Sequence, residues 1–296
     1  MKTLGATARI SLKNILFATD FSSASGGALP YALAIAHQYE AKVYAVHVNT
    51  RDTYTFVPPA SWSAVAEMEE REVQEETKRL EEQLKGIPHE LVFHEGHVWE
   101  VLSDIIEKNE IDLLVIGTHG RTGVQKLLLG SVAEEILRLA PCPVLTVGPN
   151  ISANLEGVVE MREILFATDF SPESLAAAPY AISLAQEHQA QLSLLHVLER
   201  VDAAIRDPEL SAASLLHRLQ ALVPTEAELW CRPKYFVTYG SPAAQIVELA
   251  KARHADLIVM GVRRAEGHMV AATHLGRATA HNVVSKAECP VLTVRG

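Results

Sequence analysis

An internal repeat is the feature that most constrains the fold of this chain. The segment ILFATDFS occurs at Ile15–Ser22 and again 149 residues later, at Ile164–Ser171. The match continues at the same spacing through PYALAIAH and PYAISLAQ. It ends in CPVLTV, which begins at Cys142 and again 147 residues later at Cys289. A repeat of this length is too long for a solenoid unit and is typical of a whole domain. The sequence therefore predicts two copies of one domain in tandem.

The boundary between the copies is predicted near the segment GPNISANLEGVVEM, which begins at Gly148. Glycine, proline and asparagine followed by polar residues are typical of a short linker. We therefore assign residues 1–149 to an N-terminal domain and residues 150–296 to a C-terminal domain.

Short apolar runs alternate with helical stretches in each copy, which predicts an α/β fold with parallel strands and helices on both faces. Runs such as ILFAT and DLLVIG are apolar throughout, as a sheet covered on both faces requires. In the first copy we expect strands at Ile15–Thr19, Val43–Val48, Glu90–Glu95, Leu113–Ile116 and Val144–Val147, and helices at Ser25–Tyr39, Trp62–Lys85, Val98–Asn109 and Ser131–Leu139. For a five-stranded domain of this class we expect the strand order 3-2-1-4-5.

Ligands of open parallel sheets bind beyond the carboxyl ends of the strands, where the winding reverses. In the order 3-2-1-4-5 that crevice lies between the first and fourth strands. The segments ATDFS and GTHG begin at those two strand ends. We therefore expect both segments to line one site.

The glycine-rich stretch GTHGRTGVQKLLLGS, from Gly117 to Ser131, is typical of an anion site. Gly117 and Gly120 lack a Cβ, so we expect tight turns with positive φ and a close approach of the main chain to a ligand. Gly130 and Ser131 open the following helix, whose first N–H groups can stabilise a phosphate. Ser131 would add a hydroxyl donor or cap the helix.

Three side chains near this crevice have two interpretations each. Asp20 would contact ribose hydroxyls, an adenine amino group or Mg²⁺ on the phosphates, or it would cap the helix that starts near Ser23. His119 and Arg121 would contact phosphate oxygens or point into solvent.

Several other classes of protein are disfavoured by the composition. The formal charge of −10 and the lack of a basic patch argue against nucleic acid, and the short apolar runs argue against a membrane span. No Walker A motif, dinucleotide fingerprint or nucleophile elbow is present. Scattered histidines, including His89, His94 and His97, lack metal-ligand spacing. Three isolated cysteines indicate packing residues in a reducing compartment, and the absence of a signal-peptide pattern favours the cytoplasm.

The motifs ILFATDFS, DLLVIGTHGRTGVQKLLLGS and CPVLTV resemble the universal stress protein family, and the resemblance covers nearly the whole chain in two tandem copies. Gly117, Gly120, Gly130 and Ser131 match a G-x2-G-x9-G-[ST] pattern that is similar to the family's ATP-binding signature. The resemblance implies ATP bound by this loop, with Asp20 and Val48 near ribose and adenine. It also implies that two domains pair through their last strands, within one chain or in a homodimer. The candidate nucleotide-binding residues are Ala18, Thr19, Asp20, Val48, Gly117, Thr118, His119, Gly120, Arg121, Gly130, Ser131 and Val132.

The second copy departs from the pattern because Arg264 replaces the second glycine and Gly276-Arg277 lacks the serine. We therefore expect one ATP per chain, in the N-terminal domain, with the C-terminal domain as an internal partner. A weaker alternative is that Arg263 and Arg264 bind another anion.

Three functions remain open at this stage. The favoured one is a regulatory, stress-response binding protein whose nucleotide occupancy shifts its conformation. A slow ATPase or phosphotransferase that uses the same loop is the main alternative, and His119 is its most obvious candidate for orienting a nucleophile. A pure interaction module with a vestigial pocket is the third.

Overall fold

Ten strands form one sheet in the order β3-β2-β1-β4-β5-β10-β9-β6-β7-β8. The computed structural model describes residues 10–50, 62–118, 129–148, 151, 159–199, 208–225, 231, 233–263 and 274–296, and at 63–66, 69, 208–211 and 274–278 it describes the backbone only. All neighbouring strands pair in parallel except β5 and β10, which pair antiparallel. The predicted α/β class, with two tandem parallel-sheet domains, is confirmed.

The first half contains five strands and four helices. The strands are β1 (Asn14–Thr19), β2 (Lys42–Asn49), β3 (His89–Glu95), β4 (Leu113–Gly117) and β5 (Val144–Val147). The helices are α1 (Ser23–Tyr39), α2 (Trp62–Gln83), α3 (Val98–Lys108) and α4 (Ser131–Leu139).

The second half repeats this arrangement, with the counterpart of α1 divided at Ala177. Its strands are β6 (Glu163–Ala167), β7 (Gln191–Leu198), β8 (Lys234–Tyr239), β9 (Leu257–Val262) and β10 (Val291–Arg295). Its helices are α5 (Pro172–Ala176), α6 (Ala178–Glu187), α7 (Pro208–Gln220), α8 (Pro242–Arg253) and α9 (His274–Lys286).

Both faces of the sheet are buried, which explains the unbroken apolar runs. Ile15 and Phe17 of β1 pack with α1 and α2 on one face, whereas Leu16 packs with α3 and α4 on the other. Residues of both halves belong to each of these two clusters, so the apolar core continues across the joint. No helix among the described residues has the length and apolar composition that a bilayer crossing needs.

The two halves join where β5 and β10 lie side by side, with Leu145 opposite Leu292. Two threonine hydroxyls strengthen the joint. The Thr146 hydroxyl donates to the carbonyl of Val291 at 3.0 Å, and the Thr293 hydroxyl donates to the carbonyl of Val144 at 3.3 Å. This pairing covers a strand edge that each half would otherwise expose.

Two glycines allow helices to pack unusually close to strand ends. A Cβ on Gly117, at the end of β4, would lie 2.7 Å from the carbonyl oxygen of Ala24. A Cβ on Gly261, its counterpart in β9, would lie 2.3 Å from main-chain atoms of Glu173 and Ser174. Gly117 is not among the glycines with positive φ, so the expectation of positive φ at Gly117 is wrong. Gly117 is needed because the main chain of α1 leaves no room for a side chain.

We expect Gly261→Ala to destabilise the protein by about 1–3 kcal/mol or more, because the new methyl group meets helix main chain that cannot move aside cheaply. Thermal and chemical unfolding would measure the change. The matched control is Gly26→Ala in α1, where a Cβ meets nothing within 4 Å and alanine should stabilise the helix by roughly 0.5–1 kcal/mol. An unchanged unfolding midpoint for Gly261→Ala would contradict the packing.

The three cysteines are free and buried, as packing residues should be. Burial raises the pKa of Cys142 and of Cys231 to about 11 and that of Cys289 to about 12. We therefore expect all three thiols to stay unmodified by a thiol-specific reagent at pH 8 in the native protein and to react after unfolding. Rapid modification of the native chain would show that this part of the structure is wrong.

Candidate functional site

The carboxyl ends of β1 and β4 lie side by side, with Ala18 opposite Ile116. This pairing places the turn at Asp20 next to Thr118, although about a hundred residues of chain separate them. We call this crevice, with Asp20, Thr118 and Gly130 at its edges, the N-terminal cleft. It lies where the strand order predicts a ligand site.

The glycine-rich segment is closed at its base by main-chain hydrogen bonds. The N–H of Thr118 donates to the carbonyl of Val147 at 3.0 Å, and the N–H of Gly130 donates to the carbonyl of Thr118 at 2.9 Å. Thr118 and Gly130, which flank the segment, therefore lie side by side. His119, Gly120 and Arg121 lie outside the described residues.

Helix α4 begins at this closed base. Gly130 is its N-cap, with φ −63° and ψ 148°, and no side chain caps the helix. Ser131 is therefore the first helical residue, and the alternative that Ser131 caps the helix is wrong. The first-turn N–H groups, which follow Gly130, lack intrahelical partners and carry the positive end of the helix dipole. Val132 in that turn is 42% exposed, although it is apolar.

Asp20 forms a tight turn after β1. Its Oδ1 accepts the N–H of Ser22 at 3.0 Å, and Ser22 in turn caps α1 by accepting the N–H of Ser25. Phe21 has φ 58° in this turn. The alternative that Asp20 itself caps α1 is wrong, because Ser22 does so. Asp20 shapes the turn that precedes the helix.

A hydroxyl network beneath this turn was missed at the sequence level. The hydroxyls of Thr19 and Ser25 lie 3.0 Å apart, and the N–H of Phe21 donates to the Thr19 hydroxyl at 3.0 Å. The repeat contained a signal for this network, because Thr19 and Ser25 recur as Thr168 and Ser174, whose hydroxyls lie 2.9 Å apart. The network fixes the backbone that presents Asp20.

His47 connects the Asp20 turn to the end of β2. Its Nδ1 lies 2.9 Å from the carbonyl oxygen of Thr19 and must donate, because a carbonyl only accepts. The ring stacks on Phe21 with centroids 4.6 Å apart. Val48 follows and is half-buried, as is Ala18 on the neighbouring strand. These contacts fix the relative positions of Asp20 and Val48.

The C-terminal domain repeats the turn in detail. Asp169 accepts the N–H of Ser171 at 2.9 Å, and His196 lies 2.8 Å from the carbonyl oxygen of Thr168. A cavity of about 620 Å³ opens beside this turn, at the carboxyl ends of β6, β7 and β9. We call it the C-terminal cleft.

The two halves differ where the glycine-rich segment meets its helix. Buried Ala280 and Val283 of α9 correspond to Ala133 and Ile136 of α4, so Ala278 corresponds to Ser131, one residue beyond the Gly276-Arg277 pair that the sequence pattern favoured. Yet α9 already begins at His274, four residues earlier. Because a helical N–H donates to the carbonyl four residues before it, the N–H groups from Ala278 onward pair within α9. The N–H groups that have no intrahelical partner at the start of α4 therefore correspond to N–H groups that are hydrogen-bonded within α9.

No group of His, Cys, Asp or Glu side chains suited to a metal ion occurs among the described residues.

The carboxyl group of Asp169 provides a direct test of the turn geometry. Burial alone would raise its pKa, but hydrogen bonds from the hydroxyl and N–H of Ser171 outweigh burial and hold the pKa below its ordinary value of 3.8. The ionised form therefore stabilises the folded protein above pH 3.8, and this contribution is lost as the pH falls through the lower folded-state pKa. We expect carboxyl-detected NMR titration to give this lowered pKa and Ser171→Ala to raise it. A pKa that stays the same in the variant would contradict the hydrogen bond.

Known proteins resemble this chain in sequence and in fold. The universal stress protein MJ0531 of Methanocaldococcus jannaschii is 36% identical over 138 residues, which are 46% of this chain and 81% of that protein. The universal stress protein Rv2005c of Mycobacterium tuberculosis is 27% identical over 221 residues, which are 68% of this chain and 74% of that protein.

The crystal structure of a universal stress protein from Archaeoglobus fulgidus superposes with a TM-score of 0.67 at 22% identity, covering 95% of this chain and 98% of that one. That likeness concerns the fold. The model of the universal stress protein family matches twice, over residues 11–148 and 160–295. The chain belongs to the universal stress protein family, in a tandem two-domain form.

Proposed function

We propose that this protein binds one ATP in the N-terminal cleft and acts as a regulatory stress-response protein. One observation carries the proposal: Gly130 is the N-cap of α4, and its N–H donates to the carbonyl of Thr118 beside the Asp20 turn. In the proposal, the first-turn N–H groups of α4 and the carboxylate of Asp20 face the same crevice. A phosphate chain and a ribose need such donors and acceptors.

The individual contacts follow from this geometry and from the family's motif. First-turn N–H groups of α4 and the Ser131 hydroxyl would donate to the phosphates. Asp20 and Val48 would contact the ribose and adenine. His119, Gly120 and Arg121 remain part of the proposed site on the basis of the sequence pattern. The remaining proposed contacts come from Ala18, Thr19, Gly117, Thr118 and Val132.

Mg²⁺ would be held mainly by the phosphates. It commonly binds through one or two carboxylates, water and phosphate oxygens. Asp20 is the carboxylate at the N-terminal cleft that fits this role, and the bound nucleotide would supply the other anionic ligands.

The C-terminal domain serves in this proposal as an internal dimerisation partner. Its β10 covers the edge of β5, as a second subunit would in a homodimer. Its own helix α9 uses internally the N–H groups that would bind phosphate. ATP in the N-terminal cleft would shift the protein between conformations according to its different affinity for each. Three free thiols fit action in the reducing cytoplasm.

We expect calorimetry to give one ATP per chain and mass spectrometry to find an adenine nucleotide released from the purified protein. Asp20→Asn should weaken ATP binding by about tenfold to a hundredfold, because a charged hydrogen-bond acceptor is lost. The matched control is Asp169→Asn, which makes the same change in the same turn of the other half and should leave ATP affinity unchanged.

Two equivalent ATP sites, or equal losses in both variants, would show that the assignment to one half is wrong. Phosphate release well above background would favour the alternative of a slow ATPase, if His119→Ala abolished it without loss of ATP affinity.

A further inference from the structure

The C-terminal cleft has the size of a small-molecule site and a mixed polar and apolar lining. Its volume of about 620 Å³ falls in the range of small-molecule sites, roughly 300–1,000 Å³. Its lining includes the apolar side chains of Ile246 and Met260, both of which are buried. The lining also includes the polar turn at Asp169. Apolar and polar groups in one cleft suit a ligand with an apolar body and a polar end.

The charged groups of this cleft differ from those of the N-terminal cleft. Among its described lining residues are three carboxylates, Asp169, Glu173 and Glu199, and one guanidinium, Arg263. Glu173 and Glu199 stand where the first half has Ala24 and Thr50, while Asn282 stands where it has Glu135. Asp169, Glu199 and Arg263 are all exposed, whereas Glu173 is partly buried. Among the described lining residues, three carboxylates therefore stand against one guanidinium.

A phosphate group is a poor occupant of such a cleft. The carboxylates among the described lining residues repel an anion. Helix α9 offers no compensating donors at the position where α4 begins, because its N–H groups there are bonded within the helix. The ionised Asp169, whose hydrogen bonds to Ser171 favour the charged form, instead presents an acceptor to a cationic donor.

We propose that the C-terminal cleft binds a small organic cation, a protonated amine with an apolar body. The ammonium group lies among Asp169, Glu173 and Glu199, and the apolar body lies against Ile246 and Met260. This site is independent of ATP binding in the other half, so either proposal can fail alone.

The test compares ligands that share a body and differ in charge. Tyramine and 4-hydroxyphenylacetate have the same phenol ring, with an ammonium and a carboxylate respectively; agmatine and phenethylamine extend the amine set. The full chain is labelled with ¹³C in its methionine methyl groups, and the methyl signal of Met260 reports occupancy of the cleft. Met161 is buried in the other apolar cluster and serves as the internal control.

We expect at least one amine to shift the Met260 signal in a saturable way without shifting Met161, and tyramine to bind about tenfold or more tightly than its carboxylate counterpart. Binding should weaken as salt is added, because the attraction is electrostatic. If none of the amines shifts Met260, or if the carboxylate binds as well as tyramine, the proposal is wrong.

The double variant Glu173→Gln/Glu199→Gln removes charge with little change in shape and should weaken amine binding by about tenfold or more. Glu288→Gln, on the opposite edge of the sheet near Lys251, is the matched control and should bind amines as the wild type does. The ATP titration of the double variant should match that of the wild type. Amine affinity that survives the double substitution would overturn the assignment, and the salt dependence of the wild type tests it without any variant.

Discussion

The parallel pairing of β1 with β4 is the constraint on which the candidate site depends. It places the ends of two strands together, so that the Asp20 turn and the base of the glycine-rich segment become neighbours. The helix that follows β1 packs so close to the end of β4 that only glycine fits at position 117. Any shift of this strand end would therefore move both the Asp20 turn and the hydrogen bond between Gly130 and Thr118. The rigidity of the cleft comes from main-chain packing, with side chains added to it.

Much of the fold could be predicted because its signals are local. Strands covered on both faces must be apolar throughout, so the run at Ile15–Thr19 identified β1 to within one residue of Asn14. The repeat then supplied the second half. The order of the parallel strands predicts the place of the candidate site, since a crevice forms where winding reverses. Asp20 was singled out because a polar residue directly follows a buried strand, but the turn that it forms was not predicted.

The rest depends on contacts that the sequence does not display. The partner that makes Gly117 necessary is the main chain of Ala24, and main-chain atoms carry no sequence signal. Ser25 looked like any serine near a helix start, although it bonds with Thr19 beneath the turn. The early start of α9 at His274 was not predicted, because the Gly130-Ser131 pair at the start of α4 has no exact counterpart in the second half.

The antiparallel joint also determines how the two clefts relate. Because β10 runs opposite to β5, the carboxyl ends of the strands in one half lie at the same end of the sheet as the amino ends of the strands in the other half. Helix α9 lines the C-terminal cleft through Thr279 and Asn282, and it ends beside Gly148, where a Cβ would lie 3.8 Å from the carbonyl oxygen of Ala287. Helix α4 starts at the N-terminal cleft, and the carbonyl of Leu137 near its end accepts a hydrogen bond from Arg295 at 2.6 Å.

Helices α4 and α9 thus each extend from the cleft of their own half toward the opposite end of the sheet. The groups that join β5 to β10, Leu145, Leu292 and the two threonine hydroxyls, lie on the strands. None of these four residues is among the described lining residues of the C-terminal cleft, so we expect substitutions there to leave the pairing of β5 with β10 intact.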